Sequence, residues 1–403
     1  MKQKQAPPKR LSLVQFCYWG GTTVMVSFMV IFLREAGYSD IQSGLVASWV
    51  AAGTMLLQPA LGFLSDSVFP ARKLLVACFA VGLPVALVLP MLGQGLLLSA
   101  GVVALSLLCE PQATLIDNYI IRMKEKAPEV DYGKVRAWGP MGSATAALLA
   151  GTIGWLAALR PMFYLVAGFF ALCLLLLSRC EEMSCPNKRA PGNATGASTG
   201  FRGAIYTLLH TPVYLLFIGC CSLFQFAMRT ATTFLGLVVA EAGGGSLELG
   251  LLLCVVYAGQ MPFIHWAGRR LDAGVGCEKI FWLAMGLGTL RLSLFGLGLP
   301  FGIMLVTQLL QAAQTGLYTR VFVQHITDII PRNIHATATS IGAAVSLGTG
   351  QMVGGIVHGR VIASAGAGAS ALLSAGVMAG TLVLFVLGSL WLHKREQKQV
   401  AGT

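Results

Sequence analysis

Charge is what this sequence has least of. Of 403 residues only 11% are Asp, Glu, Lys or Arg, and acids are the scarcer sign, 16 against 28 basic residues. A soluble chain carries about 25% charged residues, so a water-facing surface of ordinary extent is excluded. Long polar segments are also lacking. The largest runs from Cys180 to Gly203, which leaves no room for a separate soluble domain. The six histidines nowhere recur at metal-ligand spacing, and no nucleophile and base stand together at helical spacing. Neither a metal site, a cofactor nor an enzyme is therefore expected. No basic stretch is interleaved with aromatics on a polar face, so the net charge of +12 gives no reason to invoke nucleic acid.

What is abundant is apolar sequence, 56% of the chain, with a mean hydropathy of +0.73. A membrane of roughly 30 Å hydrocarbon thickness takes about 20 helical residues to cross. Runs of that kind recur at 11–33, 41–64, 73–92, 95–121, 135–157, 161–178, 211–238, 248–268, 279–298, 300–326, 334–361 and 368–392. The fold class expected is an all-α integral membrane protein of twelve transmembrane helices. Pro59, Pro84, Pro111, Pro140, Pro212 and Pro262 fall in or beside these runs and predict kinks without breaks. Basic residues alternate between loops: Lys2, Lys4, Lys9 and Arg10 lead, followed by Arg72 and Lys73, Lys124 to Lys134, Arg179 to Arg202, Arg269 to Lys279, and Lys394 to Lys398. The positive-inside rule then places both termini in the cytoplasm. The location expected is a bacterial inner membrane, with lipid as the surrounding partner. The first run is too long for a signal peptide and reads as a retained span. The ten cysteines lie mostly in spans, where Cys acts as a small hydrophobe, and Cys180 and Cys185 border a loop where no disulfide is expected.

The polar stretch near the midpoint divides the chain into an N-terminal six-helix bundle (1–179), a cytoplasmic linker (180–204) and a C-terminal six-helix bundle (205–403). A local repeat supports this. Gly62 precedes Asp66 by four residues where the second span meets the cytoplasm, and Gly268 precedes Asp272 likewise in the second half. Parallel repeats of six spans, in pseudo-twofold arrangement, are the architecture of the major facilitator superfamily. Gly62, Asp66, Arg72 and Lys73 resemble that superfamily's gating-loop motif, although the Gly-Arg that usually follows the acid is missing and the basic pair is spaced further out. The stretch "LIDNYIIRMKEKAPEVDYGKVRAWGPMGSA" resembles the branch holding lactose permease, nucleoside-proton symporters and phenylpropionate permeases. "QFCYWG" in span one resembles the nucleoside symporters, and "TLRLSLFG" in span nine adds to the likeness.

Ionisable residues inside spans cost several kcal/mol unless they meet a partner or a wet cavity. Here they are Glu110 and Asp117 in span four, Arg136 opening span five, and Arg229, Arg291 and Arg320 in the second half. Glu110 and Asp117 are two helical turns apart and can share a face. The resemblance implies that Asp117 and Arg136 interact with each other and with solute, and that Arg291 takes part in proton coupling. The plainer reading of the first pair is a fixed ion pair locking two helices. No carboxylate stands inside the later spans to match the arginines, so one of them is free to pair with Glu110 across a cavity; the surplus suggests an anionic solute group. Proton-coupled relatives typically carry second-half carboxylates and often a span-ten histidine. This chain has Gln260, and Gln308, Gln311 and Gln314 along one face, which cannot titrate. Proton coupling would then rest on Asp117 or Glu110.

Trp19 and Tyr257 are candidates to stack on a solute, and Gln225 matches a glutamine of the nucleoside-symporter pattern. Gly350 with Gly354, and Gly355 with Gly359, predict close helix approach in span eleven. His358 reads as an interfacial residue near a span end. The function expected is a secondary active transporter of a small polar organic solute, a nucleoside, sugar or aromatic carboxylate. It would act as a monomer by alternating access with proton-coupled uptake. Its rivals are a facilitator or exporter of amphipathic compounds without proton coupling, and a binding-only relative.

Overall fold

A computed structural model of the chain describes residues 8–127, 130, 132–181, 201–298, 300–331 and 334–401. Most of the expected linker, 182–200 with Cys185, lies outside the described residues. Helices account for nearly everything described, and no strand occurs among the described residues. They are α1 (Pro8–Glu35), α2 (Asp40–Ser67), α3 (Ala71–Val88), α4 (Leu96–Leu107), α5 (Ala113–Lys126), α6 (Tyr132–Arg136), α7 (Trp138–Ala157), α8 (Met162–Ser178), α9 (Phe201–Leu209), α10 (Pro212–Thr232), α11 (Leu235–Glu241), α12 (Ser246–Asp272), α13 (Cys277–Gly296), α14 (Phe301–Ile329) and α15 (His335–Ala401). Each apolar run read from the sequence coincides with one or two of them. Among the described residues, seven helical stretches are long and apolar enough to cross a membrane. One of these, Ala338–Leu392, is interrupted at Gly366, whose φ of 85° and ψ of 169° belong to no helix.

The prolines divide into two kinds. Pro59, Pro84 and Pro262 sit inside continuous helices, as expected. Pro111 does more than kink. It stands in a tight turn, Glu110–Gln112, that parts α4 from α5 in the middle of span four. A prolyl nitrogen cannot donate and its ring crowds the preceding turn. The carbonyls freed there find side chains: the Tyr18 hydroxyl donates to Cys109 O at 3.0 Å and to Glu110 O at 3.2 Å, and Gln112 Nε2 donates to Leu108 O.

One apolar cluster gathers side chains of α1 to α8, with α11 and the start of α12 packed onto it; a second gathers α10, α13, α14 and α15. The two meet along α2 against α15 and α7 against α12. Glycines make these contacts close. A Cβ on Gly44 would fall 2.6 Å from Gly355 O and 3.1 Å from Gly359 Cα, and one on Gly250 would fall 2.6 Å from Ala147 O. Gly355 and Gly359 face α2, whereas Gly350 and Gly354 face α10, so span eleven carries the two close approaches expected of it on separate faces. The contacts at Gly44 and Gly250 lie in the first turns of α2 and α12, at the end of these helices away from the basic loops.

Local structures at that end recur at a nearly constant interval along the chain. Gln42 accepts from the backbone N–H of Ser39 at the start of α2, and Glu248 accepts from that of Gly245 at the start of α12. Glu35, ending α1, accepts from the N–H of Leu159 at 3.1 Å; Glu241, ending α11, accepts from those of Ala367 and Gly368 at 2.5 and 3.2 Å. Each of the last two carboxylates thereby caps a turn that opens on a left-handed residue, Ala158 (φ 68°) and Gly366 (φ 85°).

At the opposite end, Arg72 closes the C-terminus of α8, donating from Nε to Leu177 O at 2.7 Å and from Nη2 to Ser178 O at 3.0 Å. A guanidinium there satisfies carbonyls that the helix leaves without N–H partners. Gly62 and Asp66 lie in the last turns of α2, and their side-chain surroundings fall outside the described residues.

Candidate functional site

Between the first eight helices and α15 lies a cleft with a cavity volume of about 220 Å³. Its first-half wall is built by Tyr18, Trp19 and Thr22 of α1, Thr54 and Gln58 of α2, and Glu110 at the proline turn; its second-half wall is Leu347, Gly348 and Gln351 of α15. The break in span four is what delivers Glu110. In the turn its carboxylate faces α2, where Thr54 Oγ1 donates to Glu110 Oε2 at 3.4 Å. Among the described residues, Glu110 is the only carboxylate lining the cleft, and no arginine or lysine lines it.

Behind the second-half wall stands Arg229, 5% exposed. Its Nη1 donates to Gln351 Oε1 at 3.1 Å and its Nη2 to the Ala47 carbonyl of α2 at 3.0 Å. The guanidinium thus ties α10 to α15 and reaches across to the first half. It also interacts electrostatically with Glu110, and so is the arginine that faces this acid across the cleft.

Beside the cleft, Asp117 and Arg136 come together. Arg136 Nε lies 3.5 Å from Asp117 Oδ1, and Gln15 Nε2 donates to the same oxygen at 2.8 Å. The Arg136 guanidinium also stacks over Trp19, 4.5 Å from the ring centroid. Trp19 therefore connects this cluster to the cleft it lines. Both charged side chains are about a quarter to a third exposed, so the ion pair itself is worth on the order of 1 kcal/mol at most.

The other candidates are spread over the second half. Arg291 is fully buried, donating from Nη2 to Gln308 Oε1 at 3.1 Å and lying 4.2 Å from the Phe295 ring centroid. Its Nε and Nη1 have no hydrogen-bond partner. Gln311 donates to Ala231 O at 3.3 Å and Gln314 to the Met228 sulfur at 3.1 Å, both directed from α14 to α10. None of these lines the cleft. Gln225 packs against Gly350. Tyr257 packs against the first apolar cluster, and Gln260 sits half-buried on α12 where its backbone meets Gly316. His358, read as interfacial, is instead fully buried. Its ring nitrogens lie 2.8 Å from Ser370 Oγ and 3.1 Å from Phe226 O, inside a hydroxyl network with Thr230.

Sequence reasoning passed over Thr54, Gln58, Gln351 and Gln15. An amide within an apolar span needs a hydrogen-bond partner, and that signal would have found Gln15 and Gln351.

Comparison with known proteins bears directly on this arrangement. The pattern of the MFS_1 like family matches residues 9–372. The maltose permease of Geobacillus stearothermophilus is 26% identical over 370 residues, covering 91% of this chain and 90% of that one. An uncharacterized transporter of Bacillus subtilis (strain 168), YwbF, is 23% identical, covering 83% and 81%. Among solved structures, the nucleoside transporter NupG superposes with a TM-score of 0.78 at 18% identity over 96% of this chain and 99% of its own. A POT family transporter in complex with a thioalcohol-conjugated peptide superposes with a TM-score of 0.74 at 12% identity, covering 96% of each chain. With nearly its whole length matched, this chain belongs to the MFS_1-like family and is a membrane transporter of the major facilitator type.

Proposed function

We propose that the protein takes up a neutral, hydroxyl-rich solute, a sugar or a nucleoside, by alternating access between two six-helix halves. The observation that carries this is the lining of the cleft: one carboxylate, several amide and hydroxyl groups, an indole, and no cationic side chain. An anionic solute would meet the Glu110 carboxylate, while Arg229, the cation that interacts with that acid, stands behind the wall with its guanidinium held by Gln351 and Ala47; bringing a second anion beside Glu110 costs several kcal/mol. Hydroxyls can instead donate to Glu110 and accept from amides, while a sugar or base face packs on Trp19. The arginine surplus, which suggested an acid, is absorbed elsewhere: Arg136 pairs with Asp117, Arg229 is engaged with Gln351 and Ala47, and Arg291 is buried beyond the cleft. Substrates named for relatives, maltose and nucleosides, are of this chemical class.

Twelve spans in two parallel repeats are supported by the recurring caps, Ser39 with Gln42 and Gly245 with Glu248, and Glu35 and Glu241. The basic-loop alternation makes the glycine-sealed end extracellular and both termini cytoplasmic. In this state the halves are closed outside. We infer that Asp117 carries the coupled proton, because it is about a quarter exposed, held by Arg136 and Gln15, and joined to the cleft through Trp19. Glu110 is the second candidate.

The test is uptake by the purified protein in liposomes under an inward proton gradient, with maltose, uridine and 3-phenylpropionate. Accumulation of maltose or uridine that collapses with the gradient is the expected result. Uptake of 3-phenylpropionate alone would overturn the solute assignment. Uptake indifferent to the gradient would overturn the coupling.

A further inference from the structure

We propose that Arg229 is a positioning residue for the solute cleft: it fixes the amide of Gln351 so that the NH2 group, and not the carbonyl, faces the solute. This deepens the transport reading above and rests on it.

A guanidinium has donors only. With Arg229 Nη1 3.1 Å from Gln351 Oε1, the glutamine must offer its carbonyl to the arginine. Reversing the amide would set two donors against each other. Gln351 lines the cleft, and its Nε2 donates to no protein atom among the described residues, so its N–H groups are left for whatever occupies the space.

The arginine is held in place independently of the glutamine. Nη2 is anchored on Ala47 O of α2 at 3.0 Å, and the side-chain stem lies against Gly354, where an added Cβ would fall 3.1 Å from Arg229 Cβ. Because the guanidinium is planar, fixing Nη2 also fixes where Nη1 points. A lysine in its place would keep the charge opposite Glu110 but could not hold both oxygens in that geometry.

The cleft therefore has a fixed acceptor on one wall, Glu110, and a fixed donor on the other, Gln351. A solute spanning it must present a hydrogen-bond donor to the first half and an acceptor oxygen or nitrogen to the second. Arg229 ties that donor to the junction of α2 with α15 through Ala47, so the donor keeps its orientation only while this junction is closed.

The experiment compares the parent, R229K, Q351E, R229K/Q351E and Q351L for melting temperature in detergent and for maltose and uridine uptake in liposomes. Q351E retains an oxygen for Arg229 and deletes the donor. It is expected to melt within a few degrees of the parent while raising KM about tenfold or more, with Vmax within about threefold. R229K is expected to raise KM by a similar factor, and the double variant no further. A Q351E protein with parental KM, or R229K and Q351E effects that multiply, would overturn the proposal, since Arg229 would then act independently of the amide. Should R229K not fold, Q351L decides: it strands the guanidinium and is expected to melt below Q351E. Melting at or above Q351E would show that Arg229 does not hold this side chain. If the parent takes up neither solute, the transport reading fails, while the Q351L against Q351E comparison still decides the contact.

Discussion

Asp117 and Arg291 show how far single residues can be read. Asp117 was legible because a carboxylate in an apolar span demands a partner, and the resemblance to the lactose-permease branch pointed to Arg136. Its second partner, Gln15, comes from a distant helix, and nothing along the chain links the two. If Asp117 carries the proton, Asp117→Asn keeps an acceptor for Gln15 but cannot titrate. The expected outcome is loss of accumulation against a gradient with solute exchange down a gradient retained; an Asp117→Asn protein that accumulates solute as the parent does would remove Asp117 from the coupling. Arg291 stood out by the same cost argument, yet it lies beyond the cleft with one hydrogen bond and two unpartnered nitrogens. Truncating it alone leaves Gln308 Oε1 without its donor, a cost of about 1 to 3 kcal/mol. Removing both polar groups is often neutral or stabilising. Arg291→Met is thus expected to melt below the parent, and Arg291→Met with Gln308→Met at or above it. If the double variant is the less stable of the two, the guanidinium contributes more than its visible contacts, and its burial needs another account.

Helices as elements were the most legible part, since each span is announced by about twenty additive apolar residues. The interruptions were not. Pro111 predicted a kink, but whether a proline bends or parts a helix depends on which groups receive the freed carbonyls, and here Tyr18 does, from α1. The turns at Ala158 and Gly366 are built alike, and only one has the residue the backbone favours. A φ near +70° with extended ψ is essentially a glycine conformation, costing another residue on the order of 1 to 3 kcal/mol. Ala158→Gly is accordingly expected to stabilise the protein by about 1 kcal/mol after glycine's extra unfolded-state entropy is deducted, and Gly366→Ala to destabilise it by about 1 to 3 kcal/mol. Thermal unfolding of both variants checks the pair; shifts of the same sign would mean that the two turns are not equivalent.

At the scale of the whole molecule, the two halves could be argued from the polar stretch near the midpoint and the Gly62/Asp66 and Gly268/Asp272 repeat, and their orientation from charge alternation. The cleft could not, because which residues share a depth across two bundles depends on how α2 crosses α15 and α7 crosses α12. Those crossings rest on backbone contact at Gly44 and Gly250, where an added Cβ would come within 2.6 Å of a carbonyl oxygen of the facing helix. A backbone carbonyl cannot swing aside as a side chain can, so bulk at these positions must separate the halves at the end now sealed. Most of the first apolar cluster lies within α1 to α8 and most of the second within α10 and α13 to α15, so separation at this end leaves the bulk of each intact, although α11 and the start of α12 must leave the first. Gly44→Leu with Gly250→Leu is therefore expected to fold, to lose at least about tenfold in uptake, and to open the cleft to the outside. The accessibility is read at Gln58→Cys, on the cleft wall, in a background with the native cysteines replaced. A membrane-impermeant maleimide added outside should label Gln58→Cys in the leucine variant and not in the parent. Parental uptake by the double-leucine protein, or equal labelling of the two, would mean that the glycine contacts do not form the outer gate.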